Sequence, residues 1–321
     1  MKNISRVSLE DVEEAAARVA GTIIRTPLLR TELGSPTRPL HLKAESLQLG
    51  GSFKLRGATN AVLQLSPEER ARGVITHSSG NHAQALARAA NAAGVRATIV
   101  MPRQSPQVKQ AATRAHGAEI VLVDIAERES AVAALQAETG AVLVPPYDDV
   151  RIIAGQGTVG LEVLADLTEA ATVLVPVSGG GLISGIAVAV KALRPRTRIV
   201  GVEPELAADL AEGFVRRERV VWDAARTGRT IADGLRVVGV GELNWLHIQD
   251  LVDEVITVTE DEILASMRRI VMEARLVCEP SGAVATAGFM AAVDQLPTGP
   301  TVAIVSGGNV DPDLLAKVVQ G

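Results

Sequence analysis

Short β-branched runs alternate along the chain with Ala-rich stretches whose apolar positions recur at helical spacing. The runs predict strands, and the recurrent spacing predicts helices. The predicted strands are 40–44, 74–77, 97–101, 119–123, 141–144, 172–177, 198–203, 251–258 and 301–305. The clearest predicted helices between them are 83–93, 107–116, 126–139 and 182–193. This order of elements predicts an α/β fold with parallel sheets covered by helices on both faces.

Capping and turn residues between the predicted elements suggest how the chain is divided into domains. Ser8 and Asp11 form a capping-box pattern at the start of a helix predicted over 9–20. The turn-rich segment 145–149, PPYDD, follows a predicted strand and indicates a seam. We therefore expect a smaller domain, 75–147, inserted into a larger one made of 1–66 and 149–321. Ligands of parallel sheets bind at the carboxyl ends of strands, so the cleft between the domains is the expected site.

Composition narrows the classes of function. With 321 residues, 47% of them hydrophobic, the chain can bury a large core. A formal net charge of −5 leaves no basic excess for nucleic acid. The single cysteine, Cys278, excludes an internal disulfide and a multi-Cys zinc site, which suits a reducing cytoplasm. No apolar run is long enough to cross a bilayer, so we expect a cytoplasmic protein without a membrane partner.

A lysine beside an aromatic ring is the first candidate for chemistry. Lys54 follows Phe53, one of only three phenylalanines, and a glycine-rich stretch precedes them in LGGSFKLRGA. This arrangement indicates a positioned amine. Taken alone, such a short motif more often marks a lysine in the first turn of a helix with its amine in water, and the rest of the chain reverses that balance.

Three polar loops follow predicted strands. Residues 78–82, SSGNH, place hydroxyls, a glycine and an amide at a helix N-terminus, where a substrate carboxylate would fit. A plain N-cap by Ser79 or Asn81 is the alternative. Residues 178–182, SGGGL, allow successive N–H groups to converge on a phosphate, although the lysine of a nucleoside-triphosphate loop is missing. Ser306, in SGGN, could offer its hydroxyl to a ring nitrogen.

Together these features describe a pyridoxal phosphate enzyme. Over nearly its whole length the chain resembles the fold-type II pyridoxal phosphate family of threonine and serine dehydratases, and within it the serine racemases. The segments SFKLRGA, HSSGNHAQAL, AGQGT, SGGGL, EPSGA and SGGN occur in the order of that family. The resemblance implies two open, twisted sheets with helices on both faces, a smaller lobe inserted into a larger one, and a homodimer.

The resemblance also implies roles for individual residues. Lys54 forms the Schiff base with the cofactor and removes the α-proton, and Phe53 lies against the ring. Asn81 binds the 3-hydroxyl, and Ser306 meets the pyridine nitrogen. The phosphate ligands are Ser178, Gly179, Gly180, Gly181 and Leu182. The substrate carboxylate is held with the help of Ser78, Ser79 and His82.

Two further assignments leave alternatives open. Ser79 matches the residue that protonates the opposite face of the α-carbon in serine racemases, or else it only binds the carboxylate. Glu203, Ala207 and Asp209 match a divalent-cation site for Mg²⁺, Ca²⁺ or Mn²⁺, in which Ala207 offers its carbonyl oxygen. An acidic helix start is the other interpretation of these three residues.

The activity implied by the resemblance is β-elimination of L-serine, L-threonine or a related 3-hydroxy amino acid to a 2-oxo acid and ammonia. A racemase with side dehydratase activity is the main alternative. Tyr147 stands where racemases tend to carry Asn, and Val237 where the vertebrate racemase has Ser, which favours the dehydratase. Remote alternatives are an NAD(P) oxidoreductase, because Gly155, Gly157 and Gly160 match G-x-G-x-x-G, and a sensor without catalysis.

Overall fold

The computed structural model describes residues 6–320, and all structural statements concern that part of the chain. Its strands are β1 Leu28–Arg30, β2 Leu40–Ala44, β3 Val74–His77, β4 Ala97–Pro102, β5 Glu119–Val123, β6 Val142–Leu143, β7 Thr172–Pro176, β8 Arg198–Pro204, β9 Glu254–Val258 and β10 Thr301–Val305. Its first seven helices are α1 Leu9–Val19, α2 Lys54–Leu63, α3 Pro67–Arg72, α4 Asn81–Ala92, α5 Gln107–Ala115, α6 Arg128–Thr139 and α7 Val150–Asp166. The others are α8 Gly181–Leu193, α9 Asp209–Arg216, α10 Ala224–Thr227, α11 Glu242–Leu251, α12 Glu260–Glu273, α13 Pro280–Ala292 and α14 Pro312–Gln320.

The strands form two sheets. One has six strands in the order β1-β2-β10-β7-β8-β9, all parallel except for the antiparallel pair β1 and β2. The other has four parallel strands in the order β5-β4-β3-β6. The smaller sheet is built from one continuous stretch, and the larger sheet takes strands from both sides of it. The predicted α/β architecture with two sheets is therefore confirmed.

Helices cover both faces of the six-stranded sheet. Its inner strands β7 and β10 are buried at every position, as expected of parallel strands enclosed on both sides. One face packs on α12 and α13, with Met267 and Phe289 in the core. The opposite face packs on α7 and α8, with Val163 and Ile183 in the core. No helix in the described range is long and apolar enough to span a membrane.

Helix α7 is the platform on which the functional segments rest. A Cβ atom on Gly155 would lie 2.6 Å from Gly57 Cα, and one on Gly157 would lie 2.8 Å from Gly185 O. Only glycine lets α2 and α8 approach α7 so closely. Because Gly155, Gly157 and Gly160 lie in the middle of a helix and pack on neighbouring helices, they form no dinucleotide loop after a strand. The oxidoreductase alternative therefore loses the motif given for it above.

The boundaries differ from the predicted ones at a few places. Helix α1 confirms the prediction, with the capping box of Ser8 and Asp11 in place. The strand predicted at 251–258 begins only at Glu254, since α11 continues to Leu251. The strand predicted at 141–144 shrinks to β6. Strand β1, three residues at the sheet edge, carries too little periodicity to be recognised in the sequence.

Candidate active site

Lys54 is the first residue of α2, held beside the loop that follows β10. Phe53 N–H donates to Ser306 O at 3.1 Å, and Ser52 forms an isolated β-bridge with Gly307. The Lys54 amine donates to Pro146 O at 2.7 Å and lies 5.1 Å from the centre of the Phe53 ring. Burial lowers the pKa of this amine to about 8. No carboxylate within the described residues forms an ion pair with it, so the amine is available for chemistry.

The loop 78–82 leaves the start of α4 open. The N-cap residue of α4 is Gly80, and no side chain caps this helix. The alternative of a plain N-cap by Ser79 or Asn81 is therefore not what the structure has. Ser78 Oγ accepts from Gly80 N–H at 3.3 Å, and the Ser79 hydroxyl has no partner among the described residues. The free N–H groups of the first turn can accept an anion there.

His82, expected to help hold the substrate carboxylate, has a buried imidazole with a hydrogen-bond partner inside the protein. Its Nε2–H donates to Val144 O at 2.9 Å, and its Nδ1 is buried without a partner in the described chain. Burial, and then the nearby Lys54, lower the pKa of the imidazole to about 3. The ring is therefore neutral and attaches α4 to the end of β6. What remains for a substrate carboxylate is the backbone N–H of His82.

Asn81 belongs to a network of hydrogen-bonded side chains that the sequence did not predict. Its Nδ2 donates to Glu279 Oε1 at 2.6 Å, and its Oδ1 accepts from Asn309 Nδ2 at 2.8 Å. Glu279 N–H donates to Gly307 O at 3.0 Å, which places the network next to Ser306. Burial, and then Asp233, raise the pKa of Glu279 to about 8. The amide that would meet a cofactor hydroxyl is thus held from two sides, by Glu279 at the start of α13 and by Asn309 in the loop after β10.

The loop 178–181 requires its glycines. Gly180 has φ +90°, a conformation that favours glycine, and the Tyr147 ring lies directly on Gly179. A Cβ atom on Gly181 would come within 3.0 Å of Tyr147 O. Ser178 Oγ accepts from Val237 N–H at 3.3 Å. No acceptor in the described chain meets the N–H groups of residues 179–182 at the start of α8, so this loop has the form of an anion cradle.

Ser306 directly follows β10 and lies in the same region. It is buried, and its hydroxyl lies 3.4 Å from Ser281 O. Lys54, Phe53 and Ser306 are therefore neighbours, while Pro146 and Tyr147 connect the lysine to the glycine loop. An amine without an acid partner, an open cradle of N–H groups and a buried hydroxyl together fit the aldehyde, phosphate and ring nitrogen of pyridoxal phosphate.

Glu203 and Asp209 lie together at the end of β8. Glu203 is fully buried and accepts from the N–H groups of Leu210 and Ala211 at 3.2 and 2.7 Å, while Asp209 Oδ2 is buried without a partner in the described chain. Burial raises both pKa values, that of Asp209 to about 7, and Asp209 raises that of Glu203 further. The described residues contain no group of three His, Cys, Asp or Glu side chains for a metal. A cation here would need backbone oxygens such as that of Ala207.

Comparison with known proteins agrees with this geometry. Residues 19–307 match the family described as pyridoxal-phosphate dependent enzyme. The catabolic L-threonine dehydratase TdcB of Staphylococcus aureus strain USA300 is 42% identical, over 98% of this chain and 92% of that protein. Maize serine racemase superposes with a TM-score of 0.91 at 38% identity, covering 98% of both chains. A threonine deaminase from T.th. superposes with a TM-score of 0.90 at 42% identity, covering 95% of this chain and 99% of that one.

The family match covers most of the chain, and both structural relatives are similar over nearly their full lengths. The motif order read from the sequence, the two-sheet architecture and the arrangement around Lys54 agree with it. The chain belongs to the fold-type II pyridoxal-phosphate dependent enzymes, in the branch that includes threonine dehydratases and serine racemases.

Proposed function

We propose that this enzyme eliminates water from L-threonine, L-serine or a related 3-hydroxy amino acid and releases a 2-oxo acid and ammonia. One observation carries the proposal: the buried Lys54 amine, with its pKa lowered to about 8, has no acid partner in the described chain and lies in a region with two open helix N-termini. The names of the dehydratase and deaminase relatives support this reaction for the present chain.

The residues divide the work according to their chemistry. Bound pyridoxal phosphate supplies an electron sink at the carbon that loses its proton. A Lys54 amine with a lowered pKa is partly uncharged near neutral pH and can take that proton. The N–H groups at the start of α4, with Ser78 and Ser79, hold the carboxylate and so fix which bond faces the amine.

The remaining contacts are proposed for the cofactor. Phe53 packs on its ring, Asn81 binds the 3-hydroxyl, and Ser306 faces the pyridine nitrogen. A hydroxyl, rather than a carboxylate, at that nitrogen would leave the ring uncharged and a weaker electron sink, so that a carbanion would not accumulate and prompt loss of the β-hydroxyl would be favoured. Ser178, Gly179, Gly180, Gly181 and Leu182 hold the phosphate.

The direct test follows both products. Purified enzyme loaded with pyridoxal phosphate is incubated with L-threonine and with L-serine, with and without Mg²⁺, while 2-oxo acid, ammonia and D-serine are measured. We expect 2-oxo acid and ammonia in equal amounts and well above D-serine. D-serine in excess would make racemisation the main activity and contradict the interpretation that Tyr147 favours a dehydratase.

Racemisation is a second candidate because the Ser79 hydroxyl is free and maize serine racemase is a structural relative. Racemisation needs an acid on the face of the α-carbon opposite Lys54. Ser79→Ala should therefore lower the rate of D-serine formation at least about tenfold more than it lowers the rate of elimination, since proton delivery contributes at least that much. Equal loss of both products would assign Ser79 to carboxylate binding. The enzyme with Ser78→Ala is the matched control.

A divalent cation at Glu203, Ala207 and Asp209 is also part of the proposal. The orphaned Asp209 Oδ2 beside a second buried carboxylate supports it, because a cation would offset their repulsion. At about 100 times its dissociation constant, Mg²⁺ should stabilise the protein by about 2.7 kcal/mol. Thermal melts should show this shift for the wild type and lose it in Asp209→Asn. An equal Mg²⁺ shift in both proteins would remove the cation from this place.

The remaining organisation is proposed along with the activity. We place a small domain at 75–147 within a large domain of 1–66 and 149–321, with the substrate between them, because the smaller sheet comes from one continuous stretch. A homodimer in the cytoplasm agrees with the resemblance and with the single, buried Cys278. Light scattering of the purified protein tests the dimer.

A further inference from the structure

The peptide between Gly179 and Gly180 is held from behind by α11. Gly179 O accepts from Asn244 Nδ2 at 2.7 Å and from Gly241 N–H at 3.0 Å. Because a trans peptide is planar, its C=O and N–H point in opposite directions. Fixing Gly179 O toward α11 therefore directs Gly180 N–H to the other side of the loop, where the phosphate is expected.

The orientation of the Asn244 amide follows from its neighbours. Its Nδ2 faces two carbonyl oxygens, Gly179 O and Tyr147 O at 3.4 Å, and a rotated amide would turn its own oxygen toward them. The side chain is fully buried, and its Cβ would be 3.0 Å from a Cβ built on Gly180. The Asn244 amide therefore has one orientation in which it donates to the loop, and little space to move.

A distant residue sets the position of Asn244. The N-cap residue of α11, Gly241, has no side chain to cap the helix. Asp148 does so instead, accepting from the N–H groups of Glu242, Leu243 and Asn244 at 3.1, 3.1 and 3.2 Å. The carboxylate is also favourable at a helix N-terminus. Asp148 follows Pro146, which accepts from Lys54, and Tyr147, which lies on Gly179.

We propose that Asn244, set in place by the Asp148 cap, is a positioning residue that aims Gly180 N–H at the cofactor phosphate. The inference deepens the proposed function, since it rests on residues 178–182 being the phosphate site. It assigns a task to two residues that lie outside the glycine loop. Through residues 146–148, the same segment coordinates the phosphate loop with the amine of Lys54.

The test separates the phosphate from the rest of the cofactor. Dissociation constants of the apoenzyme are measured for pyridoxal phosphate and for pyridoxal, which lacks the phosphate. Asn244→Ala should weaken the binding of pyridoxal phosphate about tenfold, which corresponds to the loss of one hydrogen bond of about 1.4 kcal/mol. Asn244→Asp should weaken it about 100-fold, because an acceptor replaces the donor and a negative charge lies near the phosphate. Pyridoxal binding should change less than twofold in both.

Two further variants sharpen the interpretation. Gln249→Ala, an exposed substitution on the same helix, is the matched control and should bind both ligands as the wild type does. Asp148→Ala should weaken the binding of pyridoxal phosphate as much as Asn244→Ala does. The double variant should bind pyridoxal phosphate no less tightly than the weaker-binding single variant, since both residues act through one loop. The ³¹P resonance of bound cofactor should shift in Asn244→Ala and not in Gln249→Ala.

The opposing outcomes are equally specific. Equal weakening of pyridoxal phosphate and pyridoxal would mean that Asn244 supports the fold in general and would overturn the proposal, as would unchanged affinity for pyridoxal phosphate. Because the readout is cofactor binding, the result does not depend on which amino acid reacts. An enzyme that binds the cofactor but eliminates no water would overturn the proposed function and leave the conclusion on Asn244 standing.

Discussion

Replacing Lys54 by alanine should lower the rate of elimination at least about 1,000-fold, since the change removes the group proposed to accept the α-proton. Cofactor binding should survive, because the glycine loop and Ser306 do not depend on this side chain. Reduction with borohydride followed by mass spectrometry should find the cofactor attached to the wild type and not to the variant. Turnover is measured as 2-oxo acid released.

The exposed Lys317 provides the matched control, and Lys317→Ala should keep full activity and attachment. Addition of a small primary amine such as methylamine should restore part of the activity of Lys54→Ala, because a diffusible base can replace the missing side-chain amine. Wild-type turnover in Lys54→Ala would refute the assigned role. Loss of cofactor together with loss of fold in this variant would instead place Lys54 among the residues that support the structure.

What local chemistry dictates could be predicted from the sequence. The positive φ of Gly180 favours glycine, and the phosphate site proposed at 179–181 would need glycines for a close approach of the backbone; both needs are visible in the motif. The alternating strand and helix pattern predicted the two sheets for the same reason, since periodicity reflects which face is buried. The lysine beside Phe53 was recognised because the motif lies within a few residues.

Contacts that depend on packing between distant parts of the chain could not be predicted from the sequence. Asn81 and Glu279 are 198 residues apart, and Asp148 caps a helix 94 residues further along the chain. Their meeting follows from how the sheets and helices pack, which no local window contains. His82 was expected to help hold the substrate carboxylate, and only the structure shows that its imidazole reaches Val144 O. Gly155, Gly157 and Gly160 matched a dinucleotide motif by spacing, whereas their use is helix packing on α2 and α8.

Beneath Lys54, a buried cluster of four charges anchors the first turn of α2. The Arg56 guanidinium donates to Glu45 at 2.7 and 2.8 Å and to Glu162 at 2.7 and 2.8 Å. Lys43 Nζ donates to Glu162 at 2.6 Å and to Thr26 O at 2.6 Å. The four charges sum to zero, and the Lys43 and Arg56 side chains are fully enclosed. Arg56 connects α2 with Glu45, directly after β2, and with Glu162 of α7, and it lies two residues from Lys54.

Arg56→Met should therefore destabilise the apoenzyme by about 3–5 kcal/mol, because the buried Glu45 and the largely buried Glu162 would have only Lys43 to balance them. Arg56→Lys should recover only part of this loss, since an ammonium cannot engage both carboxylates as a planar fork does. The measurement is the free energy of unfolding in urea. Arg25→Met, which breaks the largely exposed pair with Asp166, is the control and should cost less than about 1 kcal/mol.

A second substitution distinguishes unpaired charge from lost packing. In Arg56→Met with Glu45→Gln, the remaining charges are Lys43 and Glu162, which already pair at 2.6 Å. If uncompensated charge causes the damage, the double variant should be more stable than Arg56→Met alone, despite carrying one more change. A double variant that is less stable than the single one would show that the packing of the guanidinium, and not charge balance, holds the first turn of α2 against α7.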